Sequence, residues 1–501
     1  MSQLAHPAFE LKRKQPIDSL NLTFEEYHHL ATGAQHIHLQ ADNKENVFMV
    51  ALRTVPEDST GVAHILEHTA LCGSEKFPVR DPFFLMTRRS LNTFMNAMTS
   101  SDWTAYPFAS QNLKDFQNLL EVYLDSVFFA RLDPLDFAQE GHRLEFSDPL
   151  NCESELIFKG VVFNEMKGAM SSTNSILWQT LTKYLYPTST YHFNSGGDPA
   201  HIPDLSYQQF MDFYTSHYHP SNAIFMTYGS IPALDHQARF QELALDRFKY
   251  LDCHIAVQNE TRYKTPQYFR ETYAIDESES CDKKTHIIMA WLLGDSTDLE
   301  STMEARLLAS VLLDNSGSPL MNALESTVLG SAPSPMCGLE DSQKQLCFAC
   351  GIEGSEECKA DEVESMIMAV VQSMAHDGIA FEQIASSLHQ IELQQREVSG
   401  GGYPYGLGLM LTALTGATHR GDSAALLDLD PVLLKLHEKI KDPEYIKSLA
   451  KTLLLENTHR IRLVMPPDTK LGRHRDQIEK DRLNRLQLSL SESDKKNIVN
   501  R

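Results

Sequence analysis

The order of strands and helices is written twice in this chain, and no other feature limits its fold as much. In the first half, an apolar run at 47–54 reads as a strand. It leads into a helix that begins at the N-cap candidates Asp58-Ser59-Thr60 and stops before Gly73. A strand at 103–109 is followed by a helix over 113–127, where Leu113, Phe116, Leu119, Leu120, Tyr123, Leu124 and Val127 recur at helical spacing. In the second half, a strand at 285–293 precedes a helix at 300–313, and a strand at 346–352 precedes an amphipathic helix at 361–377. This is an internal duplication of an α+β unit, and 501 residues are too many for one ordinary core. In the first unit, 36–54 further reads as a hairpin turning at Asp42-Asn43-Lys44, and 94–99 pairs with 103–109. Helices are expected around 157–170 and 174–185, and a strand at 222–229. Gly400-Gly401-Gly402 and Pro404 punctuate the second half, and the charged, helix-prone tail from about 467 reads as a solvated helix or linker.

The two copies differ in chemistry. The helix at 300–313 contains no histidine, whereas the first copy carries His64-Ile65-Leu66-Glu67-His68. Two histidines at i and i+4 lie one above the other on a helix and can offer two imidazole nitrogens to one ion. Glu67 is close enough in angle to reach a water on that ion. H-x-x-E-H is the inverted zinc-metalloprotease motif. A catalytic zinc needs a third protein ligand and an open position, and Glu140, His142, Glu145 and Glu165 all stand in the stretch that could supply it.

Other metal-binding types read as structural. Cys347-Phe348-Ala349-Cys350 falls on an apolar strand whose neighbours point to opposite faces, so core packing is expected. Cys72, one turn beyond His68, reads as a packed thiol. His28, His29, His36 and His38 read as surface residues near a hairpin, and His217 and His219 as residues flanking a turn.

The blocks HILEHTALCGSEKFPVRDPFF from His64, LNTFMNAMTSSDWTAYPF, FKGVVFNEMKGAM, SGGDP at Ser195–Pro199 and HYHPSNA at His217–Ala223 resemble the pitrilysin (insulinase) family, and within it the presequence protease branch. The resemblance covers essentially the whole chain, charged tail included. It implies two homologous domains, each a mixed or antiparallel sheet packed with helices, at 1–255 and 256–465, followed by a helical hinge at 466–501. Only the first domain would carry the site. It also implies one Zn²⁺ per chain held by His64, His68 and Glu165, with Glu67 as general base. The acid that many relatives carry seven residues before the distal ligand is Phe158 here. Asn96 and Ala97 would hold an extended peptide beside the scissile bond, with an ordinary edge strand as the competing reading. Leu71, Phe83 and Phe84 would form an apolar pocket, with plain core as the alternative. The implied activity is zinc-dependent cleavage of unstructured peptides such as targeting presequences. The alternative is a non-catalytic or partner-dependent assembly module of the same fold. Members of that branch are about twice this long, so the expected partners are extended peptides and a C-terminal half or second chain that closes a chamber.

Charge narrows the partners. The formal balance of 44 − 67 = −23 repels phosphate backbones and argues against nucleic acid, while suiting basic peptides. No apolar run reaches the roughly 18 residues of a membrane span. The N-terminal residues lack an apolar signal region and include Glu10 and Asp18. With eight scattered cysteines, they fit a reduced, cytoplasmic setting. A mitochondrial matrix or plastid protein with its targeting segment removed is the alternative.

Overall fold

Every residue of the strand Asn46–Arg53 is buried, which requires cover on both faces of its sheet. A computed structural model, describing residues 5–396 and 402–500, shows how that cover is built. Gly400 and Gly401 of the glycine run lie outside the described residues.

The first half holds β1 (Phe9–Ile17), β2 (Leu22–His29), β3 (Gln35–Gln40), β4 (Asn46–Arg53), β5 (Asn92–Met95), β6 (Met98–Thr99), β7 (Trp103–Ser110), β8 (Arg143–Phe146), β9 (Leu156–Lys159) and β10 (Ala223–Gly229). Its helices are α1 (Val62–Ala70), α2 (Pro82–Arg89), α3 (Leu113–Phe128), α4 (Pro134–Glu140), α5 (Val161–Ala169), α6 (Thr173–Leu185), α7 (Tyr207–His217) and α8 (Ala233–Leu243). The second half adds β11 (Gln267–Arg270), β12 (Tyr273–Ala274), β13 (Thr285–Asp295), β14 (Ala332–Pro333), β15 (Gly338–Glu340), β16 (Gln345–Ser355), β17 (Arg460–Met465) and β18 (Pro467–Asp468). With these strands run α9 (Leu299–Leu313), α10 (Pro319–Ser326), α11 (Ala360–His376), α12 (Phe381–Arg396), α13 (Tyr405–Thr418), α14 (Asp430–Lys439), α15 (Pro443–Ala450), α16 (Leu471–Ser489) and α17 (Glu492–Asn500).

The duplication is visible strand by strand. The eight-stranded sheet runs β1-β2-β3-β10-β4-β7-β5 with β6 on β7, and the six-stranded sheet runs β11-β17-β13-β16-β14 with β15 on β16. In the first, β10 is parallel to β3 and antiparallel to β4, and β4 is antiparallel to β7. In the second, β17 is parallel to β11 and antiparallel to β13, and β13 is antiparallel to β16. The helix that follows β4 is α1, and its counterpart after β13 is α9.

This topology corrects the hairpin expected over 36–54. Both strands exist, but β10 is inserted between them, with Phe225 opposite both His36 and Val50. Because β3 is thereby an interior strand, the histidines expected at the surface are mostly inside. His29, His36 and His38 are buried. The Thr227 hydroxyl of β10 lies 2.8 Å from both His36 Nε2 and His38 Nδ1, and His29 Nδ1 lies 2.8 Å from Thr32 Oγ1. Only His28 is partly exposed, beside Glu26. The helix expected around 157–170 is likewise corrected at its start: 156–159 form β9, paired with β8, and the helix begins at Val161.

Alternation along the central strands sends Phe48, Val50, Leu52, Tyr106, Phe108 and Phe225 into one core with α1, α3 and α8. Val47, Met49, Ala51, Ala105, Ile224 and Met226 go to the other face, where Leu407, Met410, Ala413 and Leu414 of α13 cover them. The second sheet is covered the same way. Ile287, Met289 and Trp291 meet α9 and α11, while Ile288, Ala290 and Leu292 meet Ile176, Leu177, Leu181 and Leu185 of α6. Each half therefore lends one helix to the other's sheet. The approach of α13 is close: a Cβ at Gly406 would lie 2.2 Å from the Tyr228 ring. The buried Arg53 caps the far end of that helix, donating to the carbonyls of Thr418 (2.7 Å), Ala417 (2.6 Å) and Asn222 (3.1 Å). As expected, Cys347 and Cys350 face opposite cores. Among the described residues no helix is long and apolar enough to cross a membrane.

Candidate metal centre

The site is built from the loop before α1 outward. Asp58, Ser59 and Thr60 do not cap the helix through N-cap side chains as expected. Asp58 instead turns back to accept from Thr60 N and Oγ1, and the N-cap residue is Gly61 at φ 71° and ψ 25°. Ser59 holds the Ser195–Pro199 loop: its carbonyl accepts from Asp198 N at 2.8 Å and its hydroxyl from Asn194 N at 3.1 Å. Gly61 lets that loop come close, because a Cβ there would lie 2.8 Å from Gly196 O and from Gly197 Cα.

His64 and His68 stack one turn apart on α1, ring centroids 5.1 Å apart. His64 Nδ1 lies 2.9 Å from Gly196 O, which can only accept, so this nitrogen carries the proton. His68 Nδ1 likewise donates to Glu140 Oε2 at 3.2 Å. Both Nε2 atoms are left as lone-pair donors, and each lies 3.8 Å from Glu165 Oε2, which is 54% exposed. The three ligand atoms all fall within 4.8 Å of one another. Two imidazole nitrogens, one carboxylate and an open side form a donor set that fits a zinc ion. Burial alone would lower the pKa of His68. The hydrogen bond that His68 donates to Glu140 and the charges of Glu67, Glu140 and Glu165 outweigh it and hold that pKa above its ordinary value.

Of the alternative third ligands, none joins this cluster. Glu140 stands behind His68 instead of beside it. His142 Nε2 lies 2.8 Å from Leu205 O, and Glu145 is paired with Arg143 and Lys159. Cys72 is packed as expected, its thiol donating to His68 O and pushed up in pKa by burial. His217 stacks on Phe213, and His219 accepts from Ser221 N at the next short turn.

A cavity of about 460 Å³ opens beside the cluster. It is lined by Glu67, His68 and Glu140 together with Leu71, Phe83, Phe84, Asn96 and Ala97, the residues expected for a peptide. Phe84 is 63% exposed, so this wall is not plain core. Asn96 and Ala97 sit between β5 and β6, and β5 is the last strand in its sheet's path. The Tyr106 and Tyr218 hydroxyls meet at 2.7 Å, near enough to Glu67 for its charge to act on both phenols.

The tail forms the expected helix, α16, largely solvated with Leu483 its one buried residue, and it is docked against the first half. From α16, Glu479 accepts from Lys167 of α5 at 2.9 Å, and Arg482 donates to Asp204 at 2.6 Å and lies 5.2 Å from the Phe158 ring. Leu483 is buried against the first core. The tail thereby braces the helix that carries Glu165. The contacts of Gly196 and Glu140 with the two histidines are what sequence reasoning missed. They span 132 and 72 residues, and only the SGGDP block hinted at the first.

Residues 53–168 match the family model described as insulinase (peptidase family M16), and residues 204–390 match the one described as peptidase M16 inactive domain. The mitochondrial presequence protease of Xenopus laevis is 39% identical over 492 residues, 98% of this chain and 48% of the relative. That of Danio rerio is 40% identical over the same shares. Among solved structures, a protease from Helicobacter pylori superimposes with a TM-score of 0.66 at 16% identity, covering 89% of this chain and 99% of its own. Pitrilysin does so at 0.63 and 14%, covering 93% and 47%; these two likenesses bear on the fold alone. The chain belongs to the insulinase (M16) peptidase family and spans about half the length of the presequence proteases it matches.

Proposed function

We propose that this chain is the metal-bearing half of a zinc-dependent endopeptidase that degrades unstructured peptides. The observation that carries the reading is the His64–His68–Glu165 cluster, open on one side and set beside a sheet edge. Nε2 of His64, Nε2 of His68 and the Glu165 carboxylate would hold the ion. When bound, zinc supplies a Lewis acid that lowers the pKa of water to about 7 and polarises a peptide carbonyl. Glu67 lines the cavity one residue before His68. Its carboxylate takes the proton of the attacking water and passes it to the amine nitrogen that leaves. Asn96 and Ala97 hold the substrate as an added extended strand, which a folded protein cannot supply. Leu71, Phe83 and Phe84 take an apolar side chain. The net charge of −23 draws cationic peptides at low salt and less so as salt screens the field. A purely structural module has no use for Glu67 in that cavity.

The test is cleavage of a quenched basic peptide by the purified chain, alone and with a matching C-terminal half. Slow or absent cleavage alone and recovery on mixing are expected. Full-speed degradation of a folded protein by the chain alone would contradict the reading.

A further inference from the structure

Glu140 is a carboxylate in an expensive place. It is 8% exposed and closes the last turn of α4, where the helix dipole disfavours negative charge. Among the described residues no lysine or arginine lies within ion-pair distance of it, and the Arg80 charge acts on it only from farther off. Its partners are a histidine and an amide: Oε2 accepts from His68 Nδ1 at 3.2 Å, and Oε1 accepts from Gln139 Nε2 at 3.0 Å. Gln139 is held in turn by Arg80. A buried carboxylate is retained where something compensates it. Three carboxylates, Glu67, Glu140 and Glu165, surround two imidazoles here, and a bound dication is the charge that balances them.

We infer that Glu140 is a positioning residue of the metal centre. Its carboxylate fixes the tautomer and ring plane of His68, so that Nε2 faces Glu165 and His64, and Gln139 holds the carboxylate in place. The inference rests on the zinc reading above. The ring of His64 is fixed differently, by the backbone carbonyl of Gly196, which no side-chain substitution at that acceptor removes. The two histidines are therefore unequal: His68 depends on a side chain, and that dependence can be measured.

Zinc alone is the probe, titrated into the full chain in competition with a chromophoric chelator. Glu140→Ala, which removes the acceptor, is expected to weaken zinc 10–100-fold, the usual effect of losing such a partner. Glu140→Gln keeps an acceptor oxygen and is expected to fall between Glu140→Ala and the parent. Glu145→Gln, whose partners are Arg143 and Lys159, is expected to match the parent. Cobalt-loaded Glu140→Ala is expected to show shifted d–d bands, which a change of stability alone would not produce. Should Glu140→Ala fail to fold, Glu140→Gln decides. Parental zinc affinity in whichever variant folds overturns the inference. If the parent itself takes up no zinc, the functional reading falls and this inference with it; parental binding that survives the substitutions removes this inference alone.

Discussion

Replacing Gly61 by alanine tests whether the loop that meets α1 holds the site together. Gly61 has φ 71°, and an L-residue in that region costs roughly 1–2 kcal/mol. The new Cβ would also lie 2.8 Å from Gly196 O and from Gly197 Cα, both backbone atoms that no rotamer change can move. Relief means displacing the loop, and the atom displaced is the acceptor of His64 Nδ1. Losing that bond adds about 0.5–1.5 kcal/mol. The sum is a destabilisation of about 1.5–3.5 kcal/mol. Because His64 loses the partner that sets its tautomer, zinc should also bind about 10–100-fold more weakly. Urea unfolding of the metal-free chain reads the first effect and chelator competition the second. Gly408→Ala is the control: its Cβ would meet nothing within 4 Å, and in a helix interior the change should stabilise by up to about 1 kcal/mol. Parental stability and parental zinc affinity in Gly61→Ala would refute the reasoning.

Three further outcomes follow from the same geometry. Glu67→Gln should keep zinc and fold while losing about 10²–10⁴-fold in peptide cleavage, and equal turnover in an assay where the parent is active would remove its role as base. Burial, aided by neighbouring histidines, holds His36 and His236 well below 6.5. The unfolded chain therefore gains protons first as pH falls, and stability is lost below about 6.5. Each histidine therefore costs stability as pH falls from 7 to 5, so His236→Phe should shrink the difference between urea midpoints at pH 7 and pH 5; an unchanged difference contradicts the assignment. Leu483→Ala should cost about 2 kcal/mol and open the tail to proteolysis near Lys470, since Leu483 seats α16 on the first core; unaltered cleavage would mean the helix is held elsewhere.

How much of this was legible in the sequence depends on what each pattern encodes. Helical spacing located α1, α3, α9 and α11 to within a few residues, because one apolar stripe records one buried face. Sequence adjacency misled for β3 and β4. A strand's neighbour is set by the whole sheet, and β10 arrives from 170 or more residues away to part them. The same insertion buried His36 and His38. Which sheet an apolar helix covers is likewise unwritten in its own residues, so the exchange of α6 and α13 between the halves could not be read. At the site, the i, i+4 spacing placed His64, Glu67 and His68. Spacing alone left Glu140, His142, Glu145 and Glu165 open, and it is the fold that sets Glu165 opposite both Nε2 atoms and Glu140 behind His68.

In the proposed reading, His64, His68 and Glu165 hold one catalytic zinc. Elemental analysis of the purified chain, beside His64→Ala, His68→Ala and Glu165→Ala, tests it most directly. One zinc per parent chain is expected, and loss of that zinc in each variant that remains folded. A well-folded parent without zinc, or Glu165→Ala binding zinc as tightly as the parent, would contradict it.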